Sequence, residues 1–214
     1  MNIITRSILS EYREDNALYT DFCSLMALLL EDMLKKGKYK YHINGRVKSE
    51  HSLVEKIKRK KNTPTEYRHL SEIEDVAGVR VVFYTEADKR RFIRYLKKEF
   101  ENSLNIYVAN GKHGYSSTHI IATLDAVRSE LSEYKKFKNL KCEIQLTLIL
   151  DHAWAEVEHD ILYKADPKIK KLDSVYQESL KIRMENIMSQ YIKQASSELE
   201  NILTEVKKVK SSKK

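Results

Sequence analysis

The stretch "KCEIQLTLILDHAWAEVEHDILYK", residues 141–164, decides the fold because it joins a strand-like run to a helix-like run with almost no break. The first half is rich in β-branched and apolar residues, which predicts a strand. The second half contains the only tryptophan of the chain and predicts a helix over residues 150–163. Alternation along the strand places Glu143, Gln145 and Thr147 on one polar face. A core strand rarely carries a carboxylate, so we predict that this face lines a cleft.

The whole chain predicts a single α+β domain. Only five glycines and two prolines interrupt its 214 residues, so we expect much helix. We predict a mixed β-sheet of four to five strands in a core over residues 40–165, with long helical extensions at 1–37 and 168–209 and a disordered basic tail at 210–214. The other strand candidates are YKYHIN, VAGVRVVFYT, NIYVAN and SSTHIIATL.

Charge and composition narrow the class of partner. The formal net charge is +8, which favours a nucleic acid, a nucleotide or an acidic protein as partner. No apolar run approaches the ~20 residues of a membrane span, and a secretory signal is absent from the N-terminus, so we expect a soluble cytoplasmic protein without a membrane partner. We expect Cys23 and Cys142 to be buried thiols.

Three further segments carry candidate site residues. "GRVKSEHSLVEK", residues 45–56, places cations around a predicted helix start, an arrangement that suits phosphates. "EDVAGVR", residues 74–80, puts Asp75 at the entrance of a strand, where a carboxylate can bind Mg²⁺. "GKHGYSSTH", residues 111–119, is a flexible loop whose tyrosine can stack on a base. Taken alone, the first segment also fits an ordinary basic helix, the second fits a turn, and the third fits a hairpin.

Two arrangements of metal ligands are open at this stage. Asp75 and Glu143, on different strands, could hold Mg²⁺ against a triphosphate, and one of them could accept a proton from an attacking hydroxyl. His152, Glu156 and His159 share one helix face and could bind a transition metal. The HExxH pattern is absent from this helix, so a polar helix face packed on the sheet is the preferred interpretation of the second group.

Taken together and in this order, the segments resemble the synthetase domain of RelA/SpoT-homologue enzymes. The resemblance rests on G-R-V-K-S, E-D-V-A-G-V-R, G-Y-S-S-T-H, and E-I-Q followed by H-A-W-A-E-V-E-H-D, and it covers residues 45–164. Small alarmone synthetases and their toxic relatives fit best. The resemblance implies a nucleotidyltransferase-like mixed sheet. It also implies transfer of the β,γ-pyrophosphate of ATP to a ribose 3′-hydroxyl.

The resemblance also implies a role for each matching residue. ATP would be bound by Arg46, Lys48, Ser52, Lys56 and Arg80, with the two arginines around the adenine and the other three on the phosphates. The Mg²⁺ cofactor would be bound by Asp75 and Glu143, and Glu143 would also be suited to activate the hydroxyl. The acceptor would lie against Tyr115, His119 and Gln145.

Two departures from the family pattern bear on the acceptor. Alarmone synthetases often carry a cation after the loop tyrosine and in the E-I-Q-x-R-T motif, where this chain has Ser116 and Thr147. Their absence weakens the case for a free guanine nucleotide, and the HAWAEVEHD run resembles the toxic branch, some members of which modify the 3′-CCA end of tRNA. Our leading hypothesis is therefore a toxin that pyrophosphorylates tRNA, blocks aminoacylation and translation, and requires an antitoxin.

The tRNA hypothesis has a candidate surface and two alternatives. The clustering of positive charge predicts a tRNA-binding surface formed by Lys35, Lys36, Lys38, Lys40, Arg90, Arg91 and Arg94. The first alternative is an alarmone synthetase that makes (p)ppGpp or an adenine analogue from a free nucleotide. The second is a catalytically silent RNA-binding protein or regulatory partner. The terminal helices could also pair two copies of the chain.

Overall fold

The computed structural model describes residues 3–100, 103–110, 116–159 and 173–211. The helices are α1 (Ile3–Lys36), α2 (Glu50–Lys60), α3 (Glu86–Phe100), α4 (Ala126–Glu130), α5 (Ile149–Glu158), α6 (Ser174–Asn186) and α7 (Lys193–Ser211). The strands are β1 (Tyr41–Val47), β2 (Ala77–Phe83), β3 (Leu104–Asn110), β4 (Ser116–Ala122) and β5 (Cys142–Leu148). A π-helical segment, Ile187–Ile192, joins α6 to α7.

The five strands form one mixed sheet in the order β1-β2-β5-β4-β3. This arrangement, with long helices before and after it, confirms the predicted α+β class. β5 is the central strand, so the side chains of Glu143 and Gln145 have neighbours on both sides. A Cβ atom added to Gly78 in β2 would lie 3.7 Å from the backbone oxygens of Arg46 and Glu143. These three residues are therefore aligned across β1, β2 and β5.

The junction between β5 and α5 is as short as the sequence predicts. Leu148 ends the strand, and Ile149 begins the helix. The helix was predicted over residues 150–163; it is described through Glu158, and residues 160–163 lie outside the described part of the chain. Of the helices that the structure describes, none combines the length and the apolar character that a membrane span requires.

Two compact units can be distinguished along the chain. The first comprises Met1–Val81, Ile93–Tyr107 and His119–Gln145. In this unit α1 packs along β1, with Phe22, Met26 and Leu30 on its buried side. The approach is close, because a Cβ atom on Gly45 would lie 3.2 Å from the sulfur of Cys23. Cys23 and Cys142 are both buried, as predicted.

The second unit comprises Val82–Phe92, Val108–Thr118 and Leu146–Lys214. Its apolar centre is Trp154 of α5, which packs with Met184 and Met188. Glu200 of α7 accepts hydrogen bonds from the backbone N–H groups of Glu86 and Ala87, at 3.1 and 2.9 Å. A carboxylate at a helix N-terminus satisfies otherwise unpaired donors and the helix dipole. Glu200 thus fastens α7 to the beginning of α3.

Candidate active site

A carboxylate between two lysines forms the first half of the site. Asp75 lies in the turn before β2, and its Oδ2 is 3.1 Å from the Nζ of Lys48. Its Oδ1 is 2.9 Å from the Nζ of Lys56 on α2, an ion pair without hydrogen-bond alignment. All three side chains are at most one-fifth exposed. The cluster carries one net positive charge, because two ammonium groups face one carboxylate.

The backbone around Lys48 is fixed from two sides. The N–H of Lys48 donates to the backbone oxygen of Val76 at 2.8 Å. The hydroxyl of Tyr12 on α1 donates to the backbone oxygen of Lys48 at 2.7 Å. Lys48 is therefore anchored to the residue after Asp75 and to α1. This anchoring explains how a residue outside any helix or strand can present its ammonium group in one place.

Helix α2 begins next to this cluster. The Oγ of Ser49 caps the helix by accepting a hydrogen bond from the N–H of Ser52 at 3.3 Å, and it donates to the Oγ of Ser52 at 3.0 Å. Ser52 is exposed and lies one turn before Lys56 on the same face. A helix N-terminus with flanking cations favours anions. The predicted phosphate-binding role of Ser52 stays a prediction.

Glu143 forms the second half of the site, where three side chains converge on its carboxylate. Its Oε1 lies 2.8 Å from Nδ1 of His119 on β4 and accepts a hydrogen bond from the hydroxyl of Tyr107 on β3 at 3.3 Å. Its Oε2 accepts a hydrogen bond from Nε2 of Gln145 at 2.7 Å. An ionised carboxylate only accepts, so Nδ1 of His119 carries the proton.

This environment keeps Glu143 ionised. Burial acts to raise the pKa of Glu143, but the hydrogen bonds from His119 and Gln145 and the charges of His119 and Lys56 lower it to about 2. For Tyr107, burial and the neighbouring Glu143 charge raise the pKa to about 12. At neutral pH the carboxylate is therefore always an acceptor and the phenol always a donor.

The two halves of the site share Lys56. Its ammonium contacts Asp75, and its charge also contributes to the low pKa of Glu143. The charges of Asp75 and Glu143 both contribute to the raised pKa of Tyr107. Asp75 and Glu143, which the sequence predicts to act together, therefore lie in one electrostatic neighbourhood within the first unit.

Gln145 connects Glu143 to an arginine. The Nε of Arg80 on β2 donates to Oε1 of Gln145 at 3.2 Å, while the amide nitrogen of Gln145 donates to Glu143. Sequence reasoning predicts that Gln145 faces the acceptor. In the structure its amide group joins Arg80 to Glu143. Arg46 on β1 is exposed and Arg80 is half-buried, and their predicted contact with adenine stays a prediction.

Tyr107 is the site residue that sequence reasoning missed. The segment NIYVAN predicts a strand, but nothing in it indicates which strand lies beside it. Tyr107 reaches Glu143 because β3 lies next to β4, and β4 lies next to β5. The available signal is a tyrosine in a short strand just before the glycine-rich segment, a pattern too common to identify a site.

One predicted acceptor residue is not described by the structure, and the candidate transition-metal ligands lie on α5. Tyr115 lies outside the described residues. On α5, Nδ1 of His152 lies 3.7 Å from Oε1 of Glu156. Within the described ranges, no set of three His, Cys, Asp or Glu side chains is arranged to hold a metal ion. Thr147, at the position where the family pattern has a cation, is only 1% exposed.

The predicted tRNA-binding residues are all exposed. They lie on or just after α1 and on α3, and they are Lys35, Lys36, Lys38, Lys40, Arg90, Arg91 and Arg94. Several form ion pairs within their own helix, such as Lys35 with Glu31 at 2.9 Å and Lys36 with Asp32 at 2.6 Å. Exposed pairs of this kind contribute about 0–1 kcal/mol. They are weak enough to exchange for phosphate contacts.

Comparison with known proteins gives a family and a set of similar folds. A family model described as a region found in RelA/SpoT proteins matches residues 45–168. The chain is 31% identical over 134 residues to GTP pyrophosphokinase YwaC of Bacillus subtilis (strain 168). That match covers 61% of this chain and 61% of YwaC, so it spans less than two thirds of the relative's length.

Solved structures extend the likeness over nearly the whole fold. Small alarmone synthetase 1 from Bacillus subtilis superposes with a TM-score of 0.66 at 20% identity, over 93% of this chain and 99% of that chain. A GTP pyrophosphokinase family protein from Streptococcus pneumoniae superposes with a TM-score of 0.61 at 19% identity, over 94% of this chain and 97% of that chain. At these identities the likeness concerns the fold. Because the family model matches more than half of the chain and all four site segments lie within the match, this protein belongs to the RelA/SpoT family.

Proposed function

We propose that this protein transfers the β,γ-pyrophosphate of ATP to a ribose 3′-hydroxyl. The observation that carries the proposal is the position of Lys56, which pairs with Asp75 and whose charge also reaches Glu143. Cations that can bind phosphates and carboxylates that can bind a metal are thus adjacent, as phosphoryl transfer requires. The similarity to a protein named GTP pyrophosphokinase supports the same class of reaction.

Mg²⁺ fits the residues present. Asp75 and Glu143 supply two ionised oxygen ligands, and Mg²⁺ typically takes one or two carboxylates plus waters and substrate phosphates. The described residues contain no group of three candidate metal ligands, which agrees with a Mg²⁺ ion that takes its other ligands from water and phosphate. When bound, Mg²⁺ would neutralise charge on the phosphate oxygens. Lys48 and Lys56, which both contact Asp75, would hold the same phosphates.

The proposed reaction is one substitution at phosphorus. The acceptor 3′-oxygen forms a bond to the β-phosphorus of ATP, and the bond from that phosphorus to the α–β bridging oxygen breaks. AMP leaves, and the hydroxyl proton passes to the Glu143 carboxylate or to solvent. With a pKa of about 2, Glu143 is a weak base, so we expect it to orient the hydroxyl and to receive its proton late. The loose transition state of phosphoryl transfer requires little early proton removal.

For the acceptor, we propose the 3′ end of tRNA. Thr147 is buried and uncharged where a family cation would meet a nucleotide 5′-phosphate. A terminal adenosine of tRNA carries no free 5′-triphosphate, and the tRNA body can instead meet exposed lysines and arginines. Modification of the CCA end would block aminoacylation and translation. An enzyme with that effect requires a neutralising antitoxin protein, which we include in the proposal.

A synthetase of (p)ppGpp or an adenine analogue is the second candidate. The name of YwaC favours it, as does the fold likeness to small alarmone synthetase 1 bound to its product pppGpp, with a TM-score of 0.64 at 20% identity. This candidate predicts an acceptor that is a free nucleotide and a rate with little dependence on salt, because few phosphate contacts are made.

The deciding experiment offers both acceptors to one protein. The chain is incubated with γ-labelled ATP, Mg²⁺ and either deacylated tRNA or GDP and GTP, with Glu143→Gln as the control. Label on tRNA that is lost in the variant supports the tRNA proposal. Label on guanine nucleotide alone contradicts it and establishes the second candidate. Label on neither acceptor, with RNA binding intact, would favour a non-catalytic RNA-binding partner.

We infer in addition that α7 pairs with a second copy of the chain. Leu199, Ile202, Val206 and Val209 recur at steps of three and four residues and are 44–58% exposed. Such a stripe is typical of a helix that packs against another helix. Sedimentation of the wild type and of Ile202→Glu tests the inference. A wild type that stays monomeric at high concentration contradicts it.

A further inference from the structure

We propose that Tyr107 is a positioning residue that holds the Glu143 carboxylate in its working orientation. The proposal rests on the pyrophosphate transfer proposed above, in which Glu143 faces the metal and the acceptor hydroxyl. Nothing in the sequence motifs assigns Tyr107 a role. Its assignment comes from the hydrogen bond of its hydroxyl to Oε1 of Glu143.

The order of the strands makes a tyrosine suitable at this position. β3 is the edge strand, and β4 separates it from β5. Adjacent strands lie about 4.8 Å apart, so a side chain on β3 must reach across two such spacings to meet a β5 residue. A rigid ring with a terminal hydroxyl can extend in this way with only two rotatable bonds. Serine or threonine at residue 107 would be too short.

The three donors occupy different acceptor positions on the Glu143 carboxylate. Tyr107 and His119 both bond to Oε1, while Gln145 bonds to Oε2. A carboxylate has about four acceptor positions, so the described donors on its two oxygens fix the plane of the group, and its remaining acceptor capacity lies on Oε2. Without the Tyr107 hydroxyl, His119 would be the one described residue that donates to Oε1.

Packing alone does not explain Tyr107. Its side chain is 41% exposed, whereas the tyrosines of the core, Tyr12 and Tyr19, are less than one-tenth exposed. Its ring lies against the ring of His119, with centroids 5.5 Å apart and planes tilted by 37°. Tyr107 therefore touches Glu143 through its hydroxyl and touches the other donor on Oε1 through its ring. Both contacts restrict the geometry of the carboxylate.

The test removes the hydroxyl and keeps the ring. Residues that orient metal ligands typically contribute about 10–100-fold in activity or metal affinity. For Tyr107→Phe we therefore expect kcat to fall by at least about 10-fold, while the KM for ATP stays within about 2-fold. We expect Mn²⁺ binding, followed by electron paramagnetic resonance as a substitute for Mg²⁺, to weaken as well. Tyr176→Phe, at an exposed tyrosine of α6, is the matched control and should equal the wild type.

Two further comparisons separate the possible results. In a Glu143→Gln background, Tyr107→Phe should cause no additional loss of Mn²⁺ affinity, because the carboxylate that Tyr107 positions has already been removed. If the wild type transfers pyrophosphate to neither acceptor, the proposed function fails while the Mn²⁺ comparison still tests Tyr107. Wild-type kcat and Mn²⁺ affinity in Tyr107→Phe would overturn the proposal. Normal behaviour of Tyr107→Phe with a defect only in Tyr107→Leu would also overturn it, because the ring would then act by stacking.

Discussion

Lys56 lies 2.9 Å from Asp75 and lowers the pKa of Glu143, so one ammonium group connects two carboxylates that are 68 positions apart in the chain. This relationship has a chemical consequence. A phosphate bound to Lys56 would replace Asp75 as the counter-charge of the lysine, and Mg²⁺ bound to Asp75 would replace Lys56 as the counter-charge of the carboxylate. Binding of the two together should therefore be more favourable than binding of either alone, because neither charge is left without a counter-charge.

Replacing Asp75 by asparagine should separate ATP binding from transfer. The substitution removes the counter-charge of Lys48 and Lys56, so we expect ATP to bind more tightly in the presence of EDTA than it binds to the wild type. Transfer with Mg²⁺ should fall by at least about 100-fold, since the proposed metal ligand is lost. Calorimetry and the labelled-ATP assay measure the two effects. Glu74→Gln, at a carboxylate paired with Lys141, is the control, and weaker metal-free binding in Asp75→Asn would contradict the expectation.

The low pKa of Glu143 makes a prediction about acid stability. A carboxyl group whose folded pKa, about 2, is below its ordinary value of 4.5 stabilises the fold above pH 4.5 and loses that effect as the pH falls through 2. The contribution at neutral pH is on the order of 3 kcal/mol. Chemical unfolding of the wild type and of Glu143→Gln should therefore differ most near pH 6 and converge near pH 2. If the difference in the free energy of unfolding between the two proteins does not change with pH, the low pKa of Glu143 in the folded state is contradicted.

Charge reversal on α1 should affect tRNA and spare ATP. In Lys35→Glu, Lys36→Glu the new carboxylates join Glu31 and Asp32, which turns a basic end of the helix into an acidic one. We expect slower tRNA modification and a salt dependence reduced by about one unit of slope for each lost phosphate contact. The KM for ATP should not change. Lys181→Glu on α6, whose lysine is likewise paired within its helix, is the matched control, and an equal effect of both variants would contradict the proposed tRNA surface.

Trp154 should be a major source of stability in the second unit. It is 5% exposed and packs with Met184 and Met188, which joins α5 to α6 and the π-helical segment. Trp154→Ala should reduce the free energy of unfolding by about 3–5 kcal/mol, the usual range for a large buried aromatic. Val157→Ala, at a position of α5 that is 53% exposed, should cost less than about 0.5 kcal/mol. Urea titration measures both, and a small effect of Trp154→Ala would mean that α6 does not depend on this contact.

Local sequence patterns were informative wherever one element carries its own periodicity. The N-terminal extension that was predicted to be helical contains α1 (Ile3–Lys36), and the β-branched runs predicted β2 and β5. The short helix α4 was missed because its five residues provide less than two turns of pattern. Its beginning depends on the side chain of Asp125, which accepts a hydrogen bond from the N–H of Arg128 at 2.8 Å.

The sequence by itself determined the fold class, the family and the identity of the chemical groups, because strand and helix periods and ordered motifs are properties of neighbouring residues. Only the tertiary structure decided which groups meet. The order of the strands put His119 and Tyr107 on Glu143, and it placed Gln145 between Arg80 and Glu143. Contact of Gln145 with the acceptor stays a prediction. Strand order depends on pairing between segments far apart in the chain, and no local pattern encodes it. The same long-range pairing brings Lys56, Asp75 and Glu143 together.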